Sequence, residues 1–219
     1  TLPEGAVEEL SKFDAMFLGA VGHPDVPPGI IEKGLLLELR FQLDQYINLR
    51  PVKLYPGVET PLAGKGPDDI DFVVVRENTE DLYAGVEFEV GIPQTAKLID
   101  FINELPSDKN NLSGKDETGV SIKPISISGT EQIVQCAFDY ARDNGRKKVT
   151  AVHNANIMEY TDGLFRATAA KVAEKNTDIE FAERIVDKVC MQLSQEPDLY
   201  DVLVLPNMYG DILGHLATG

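Results

Sequence analysis

Arg40, Arg50 and Arg76 are the residues of this chain best suited to holding a small acid. Arg40 lies on an amphipathic stretch, Arg50 sits in NLRPV, and Arg76 closes the apolar run DFVVVRE. A guanidinium fork grips a carboxylate through two parallel hydrogen bonds, so three of them converging would suit a di- or tricarboxylic acid. Taken alone, an arginine closing a buried strand reads as a solvated strand end. Tyr83, in RENTEDLYAG, follows the same strand. It reads as a packing residue, or as a phenol whose pKa nearby cations lower until it can deliver a proton. Asp211 and His215 stand four residues apart in GDILGHLA and share one helical face. With Asp187 they make a third group. Two aspartates suit Mg²⁺ or Mn²⁺, and a histidine tilts the set towards Mn²⁺ or another transition metal. The competing reading of Asp211 is an acid in the first turn of a helix, favoured by the helix dipole.

The elements that must position these groups alternate between short apolar runs and amphipathic stretches, which is the pattern of an α/β fold. DAMFLGAVG (14–22) reads as a buried strand. Residues 27–46 read as helical after their prolines, because Ile31, Leu35, Leu39 and Leu43 recur every fourth residue. VKLYPG and DFVVVRE are strands separated by a Pro/Gly/Asp-rich loop. Residues 86–128 are less regular: FINELPSDKNNLSGKDETG is polar and turn-rich, and VSIKPISI alternates like a half-exposed strand. SGTEQIVQCAFDYARDNG is a helix capped by Ser128 or Thr130 and stopped at Gly145. Beyond it come the strand KKVTAVHNAN, a helix over 161–176, the strand IEFAERIV, the helix DKVCMQLSQEP ended by Pro197, the strand LYDVLVLPN and the helix MYGDILGHLA. In such folds ligands bind just beyond the carboxyl ends of the strands, where several of the polar residues above fall.

The chain has 219 residues, 43% of them hydrophobic, enough for one large α/β domain or two small ones. With 36 acidic against 20 basic residues its formal charge is −16, a surface that repels phosphate backbones and argues against nucleic acid as a partner. No apolar run is long enough to span a bilayer, so a membrane partner is not expected either. The expected setting is cytoplasmic, or an organelle matrix in a eukaryote. Cys136 and Cys190 lie in apolar helix-like stretches and read as reduced core residues. The chain begins with Thr1 inside a helix-like stretch and stops at LATG, so it reads as a fragment of a longer polypeptide, incomplete at both termini.

Four segments, LRFQLDQYINLRPVKLYPG, VVRENTEDLYAG, VHNANIMEYTDGLF and LYDVLVLPNMYGDILGHLA, occur in the order and at about the spacing found in the β-decarboxylating dehydrogenases. The chain resembles that isocitrate/isopropylmalate dehydrogenase family over nearly its whole length. The resemblance implies an isopropylmalate dehydrogenase-like α/β fold with a twisted mixed sheet flanked by helices. Residues 1–75 with 200–219 would belong to the dinucleotide-side domain. Residues 76–199 would form the central substrate and dimerisation domain, with a dimer arm near 86–128. Arg40, Arg50 and Arg76 would clamp a malate-type 2-hydroxy acid, and Tyr83 would protonate the enol left after carbon dioxide departs. Asp187 and Asp211 would hold Mg²⁺ or Mn²⁺, and the oxidant would be NAD or NADP. The family shares its active site across a homodimer, with the lysine segment and the aspartate matching Asp187 coming from the partner.

Two positions depart from the family pattern. Asn154 stands where the family has a lysine acting as general base towards the substrate hydroxyl, and an amide does not take up a proton near neutral pH. His215 stands where the family has a third aspartate near the metal. The family's glycine-rich adenosine loop matches nothing up to Gly219, so no cofactor-binding residue is assigned. Substrate choice rests on the helix before Arg40. Gly34 and Leu36, followed by Leu37, occupy the spacing where isocitrate enzymes place a serine and an asparagine. An apolar lining there suits the isopropyl group of 3-isopropylmalate, or a small substrate such as tartrate or D-malate. EDLYAGVEFE and VSIKPISISGTEQIV resemble isocitrate dehydrogenases, which keeps isocitrate and homoisocitrate as weaker alternatives. The expected function is oxidative decarboxylation of one of these acids. The competing reading is a catalytically silent homologue that binds substrate or a partner subunit without turnover.

Overall fold

The most apolar runs of the chain become the middle of one sheet. A computed structural model describes residues 2–27, 29–106, 112, 114 and 116–219. Helix α1 (Ala6–Leu10) comes first, and a π-helical turn (Glu32–Leu37) leads into α2 (Glu38–Gln42). Strands β1 (Ile47–Lys53) and β2 (Asp71–Glu77) follow, then a 3-10 turn (Asp81–Ala84), the short strand β3 (Glu87–Phe88), helix α3 (Pro93–Glu104) and β4 (Val120–Ser121). The rest alternates: α4 (Ile127–Asp143), β5 (Lys148–His153), α5 (Asp162–Ala173), β6 (Glu180–Ile185), α6 (Val186–Leu193), β7 (Val202–Leu205) and α7 (Asn207–Thr218).

The main sheet has the order β1-β2-β7-β5-β6. β1 pairs antiparallel with β2, and the other pairings are parallel. Both faces are covered, so β2 and β7 are continuously apolar rather than alternating. On one face Val73, Val75, Val149, Ala151, Val202 and Val204 pack against α4 and α5. On the other, Phe72, Val74, Val152, Leu203 and Leu205 pack against α6 and α7. Neighbouring strands therefore send the chain to opposite faces: β2 against β7, and β5 against β6. Each divergence opens a crevice at the carboxyl ends of the strands, the usual position of ligands in parallel sheets.

The structure departs from the sequence expectations at several elements. Residues 14–22 form no strand, and Phe17 is fully exposed. No described strand runs beside them, so their backbone groups have no ladder to join. The strand expected as VKLYPG begins earlier, at Ile47, and includes Pro51. Proline has no N–H to donate, and β1 is an edge strand that tolerates it. Helix α3 arises inside the stretch that looked irregular, with proline in its first turn and only Thr95 and Ile99 buried. Of VSIKPISI, only Val120 and Ser121 pair, with β3. The cap of α4 is Ser126, whose hydroxyl accepts from the Gly129 N–H at 2.9 Å, rather than Ser128 or Thr130. Cys136 and Cys190 are free and half-buried.

Candidate active site

Helix α7 lies across the ends of β1 and β2, and two glycines let it come close. A methyl group on Gly210 would stand 2.6 Å from Cβ and Cγ of Arg76. One on Gly214, a turn later on the same face, would stand 2.6 Å from Nη1 of Arg50. Both arginines thus run beneath α7 in grooves that only glycine leaves open. Arg50 is two residues from Asn48 on β1, so the two share a face, and Asn48 Oδ1 accepts from Arg50 Nε at 2.8 Å. Arg76 Nε donates to Asn207 Oδ1 at 2.9 Å, and Asn207 Nδ2 donates to the Glu80 carbonyl at 3.0 Å. Asn207 is fully buried and clips the start of α7 to the segment after β2.

Asp211 gathers these donors. Its carboxylate accepts from Arg50 Nη2 at 2.9 Å, from Arg76 Nη1, and from the Tyr83 hydroxyl at 2.7 Å. His215 Nε2 lies 3.7 Å from the same carboxylate. Burial alone would raise the Asp211 pKa, but the Tyr83 hydrogen bond and the two guanidiniums outweigh it and hold the carboxyl below its usual range. The Arg76 guanidinium lies over the Tyr83 ring, 5.0 Å from its centre. The pKa of Tyr83 nevertheless moves opposite to the sequence expectation. Its hydrogen bond to Asp211, then burial, raise the phenol, because proton loss would leave two anions in contact. Asp211 is also not a first-turn residue: α7 begins at Asn207, and the acid at its start is Asp81, which accepts from the Met208 N–H at 2.9 Å. The dipole reading therefore belongs to Asp81.

Arg40 reaches the same region from α2. It is buried, and burial followed by repulsion from Arg76 depresses its pKa, while Asp211 pulls the other way. Its guanidinium forms no ion pair with a described residue, so the cluster keeps one cation unpaired. The π-helical turn just before it carries half-buried Gly34, Leu36 and Leu37. Such turns recur at functional sites because the extra residue re-aims the next turn of helix.

Asn154 lies in a second cluster, at the end of β5. Its backbone N–H donates to Asp162 Oδ2 at 2.6 Å. Lys123 Nζ sits at 2.5 Å from Asp162 Oδ1, 3.8 Å from Asp81 Oδ1 and 3.4 Å from the Tyr209 hydroxyl. Asp81 and Asp162 are fully buried, so this one ammonium neutralises two desolvated carboxylates. Burial, then Asp162, raise the Tyr209 phenol above its ordinary pKa. Asp187 is elsewhere again: it is exposed in the first turn of α6, and its carboxylate accepts from its own neighbour, the Lys188 N–H, at 2.8 Å.

The family model for isocitrate/isopropylmalate dehydrogenase matches residues 1–219. The chain belongs to the isocitrate/isopropylmalate dehydrogenase family. It is 41% identical over 219 residues to a 3-isopropylmalate dehydrogenase of Mycobacterium leprae, covering 99% of this chain and 58% of the relative. Against the enzyme of that name from Mycobacterium tuberculosis the identity is 39% over the same 219 residues, again covering 99% of this chain and 58% of the relative. Among solved structures, an isocitrate dehydrogenase from Methylococcus capsulatus matches 99% of this chain and 56% of its own at 35% identity and a TM-score of 0.78. The TT0538 protein from Thermus thermophilus matches 89% of this chain and 34% of its own at 38% identity and a TM-score of 0.71. The chain therefore spans just over half the length of the curated relatives it matches.

Within this dehydrogenase-family chain, the structure brings together Arg50, Arg76, Tyr83, Asp211 and His215, with Arg40 beside them. It does not bring Asp187 to Asp211 and His215, and Asn154 is hydrogen-bonded into the Asp162 cluster instead. Among the described residues no group of three acidic, histidine or cysteine side chains could hold a metal. Asp211 and His215 could offer donors to a divalent cation only if Arg50, Arg76 and Tyr83 released the Asp211 carboxylate. Sequence reasoning missed Lys123, Asp162, Asn207 and the two α7 glycines. The spacing of Gly210 and Gly214 was the one available signal, since two glycines a turn apart mark a close approach.

Proposed function

We propose that this chain carries the acid-binding half of a metal-dependent, NAD(P)-linked oxidative decarboxylation of a malate-type 2-hydroxy acid. The leading substrate is 3-isopropylmalate, followed by tartrate or D-malate, with isocitrate and homoisocitrate weaker. The observation that carries the reading is the grip of Arg50 and Arg76 on one carboxylate beneath α7, with Arg40 beside them making no ion pair among the described residues. Such a cluster is unusual in a chain of charge −16 and is suited to a dicarboxylate. The half-buried Leu36 and Leu37 supply an apolar wall compatible with an isopropyl group. The relatives named 3-isopropylmalate dehydrogenase point the same way.

In this reading the three arginines hold the substrate's carboxylates and fix which carbon faces the oxidant. NAD or NADP would supply the hydride acceptor when bound, and the arginines would turn the hydroxyl-bearing carbon towards it. Asp211 and His215, completed by Asp187 of a second copy, would hold Mg²⁺ or Mn²⁺, which polarises the hydroxyl oxygen when bound. Loss of carbon dioxide would leave the bonding electrons on the carbon that bore it, as an enolate, and Tyr83 would donate its hydroxyl proton to that carbon and be left a phenolate until solvent reprotonates it. A phenol whose pKa is raised stays protonated at neutral pH and so remains a loaded acid. The weak point is the first proton, from the substrate hydroxyl. Asn154 cannot accept it, because an amide does not take up a proton near neutral pH.

That missing proton acceptor favours the second reading, a homologue that binds the acid or a partner subunit without turnover. A homodimer with shared sites, the domain division at about residue 75, the arm near 86–128 and a cytoplasmic or organelle-matrix setting belong to the same proposal. The test is an assay of the protein and its Asn154→Lys variant with NAD⁺, NADP⁺, Mn²⁺ and a panel of 2-hydroxy acids. A restored general base should raise turnover by about 10²–10⁴-fold. No turnover in either form, with the acids still bound, would establish the silent binder instead.

A further inference from the structure

We propose, resting on the acid-binding reading of the arginine cluster, that Asn48 and Asn207 are positioning residues that select the edge of each guanidinium an acid can use. A guanidinium can grip a carboxylate end-on, through its two Nη groups, or side-on, through Nε and one Nη. In both arginines that pair with Asp211, Nε is already taken, and by the same kind of group. Asn48 Oδ1 accepts from Arg50 Nε at 2.8 Å, and Asn207 Oδ1 accepts from Arg76 Nε at 2.9 Å. Arginine only donates, so the amide oxygen is the atom that must face it. The side-on edge of each fork is thereby closed and the end-on edge is left.

The sheet register sets this up. Asn48 and Arg50 lie two residues apart on β1, and Asn48 stands opposite Arg76 in the pairing of β1 with β2, so all three project from one face. Helix α7 covers that face, where a Cβ at Gly210 or Gly214 would collide with the side chain of Arg76 or Arg50. Each arginine is therefore confined along its stem by the helix and fixed at Nε by an asparagine. Its Nη end is the part left to meet a partner, and in both arginines that end meets Asp211. An asparagine does this without bringing charge. An aspartate in either place would accept the same hydrogen bond but neutralise the guanidinium before an acid arrived. With amides there, Arg50 and Arg76 share one carboxylate among the described residues, and the pair keeps a net positive charge. That surplus, presented end-on, is what the carboxylate of an acid would meet. Asn207 is fully buried and also donates through Nδ2 to the Glu80 carbonyl, so altering it mixes two effects. Asn48 is half-buried and holds Arg50, which is about a quarter exposed, so it carries the test.

The test compares the protein with Asn48→Asp and Asn48→Leu by calorimetric titration of 3-isopropylmalate in Mn²⁺, with thermal unfolding as the check on the fold. Separately, the Nε–H resonance of Arg50 is followed by nuclear magnetic resonance in metal-free protein without acid. Asn48→Asp should keep that N–H protected and unfold no lower than the parent, yet bind the acid about tenfold or more weakly. Asn48→Leu should expose the N–H to exchange and bind the acid about fivefold more weakly, the loss of one hydrogen bond. A merely structural asparagine would lose affinity only in step with stability, which Asn48→Asp separates. The proposal is overturned if the parent binds the acid and either variant binds it equally well, a result that leaves the acid-binding reading standing. It is also overturned if the Arg50 Nε–H is unchanged in Asn48→Leu. No binding by the parent would overturn the acid-binding reading and this assignment with it.

Discussion

Asp211 is held by three donors from three different segments, and its ionisation is the electrostatic hinge of the site. Because its folded pKa lies below the usual carboxylate range, the unfolded chain binds this proton more readily than the folded one. The stabilisation is therefore present at neutral pH and is lost as the pH falls through the folded value. Asp211→Asn should cost about 2–3 kcal/mol at pH 7, less than a fully buried pair because Asp211 and Arg50 are each about a quarter exposed. Urea titrations at neutral and acid pH should show the variant losing less stability on acidification than the parent. The residue types of this site were legible: arginines, a tyrosine and an aspartate suggest acid binding. Their convergence was not, because β1, β2 and α7 meet only through long-range pairing. The direction of the Tyr83 shift was misread for the same reason. The cations were visible in sequence, but the nearest group to the hydroxyl is Asp211.

Helix α7 acts as a lid on two arginines, and its two glycines carry different loads. A Cβ at Gly210 meets Cβ and Cγ of Arg76, close to the backbone of β2, where little can give. A Cβ at Gly214 meets first the far end of Arg50, which can swing. Alanine gains up to about 1 kcal/mol over glycine in a helix, whereas overpacking costs about 1–3 kcal/mol. Gly210→Ala should therefore destabilise by about 1–2 kcal/mol, while Gly214→Ala, which displaces Arg50 from Asp211 and Asn48, should destabilise no more than that and weaken acid binding. Thermal unfolding paired with ligand titration separates the two effects. At this scale β5 through α7 could be read from sequence, since apolar strand cores and amphipathic helices alternate there without interruption. Residues 14–22 were misread because an apolar run becomes a strand only beside an available edge. Helix α3 was missed because only Thr95 and Ile99 commit it to a core.

For the whole molecule, the separation of Asp187 from Asp211 and His215 argues for a site completed between two copies. Light scattering at micromolar concentration should report a dimer, and a monomer there would remove the shared-site account. The chain's matching of only 58% of its curated relatives' length keeps the complete reaction a proposal. The proposed acid-binding cluster, in contrast, is built from Arg40, Arg50, Arg76 and Asp211 of this chain. The most direct measurement is therefore calorimetric titration of 3-isopropylmalate, in Mn²⁺, into the protein and into Arg76→Gln, with circular dichroism confirming that the variant folds. The account predicts saturable binding at one acid per chain, weakened about tenfold or more in the variant. Absent binding, or equal affinity in a folded Arg76→Gln, would contradict it.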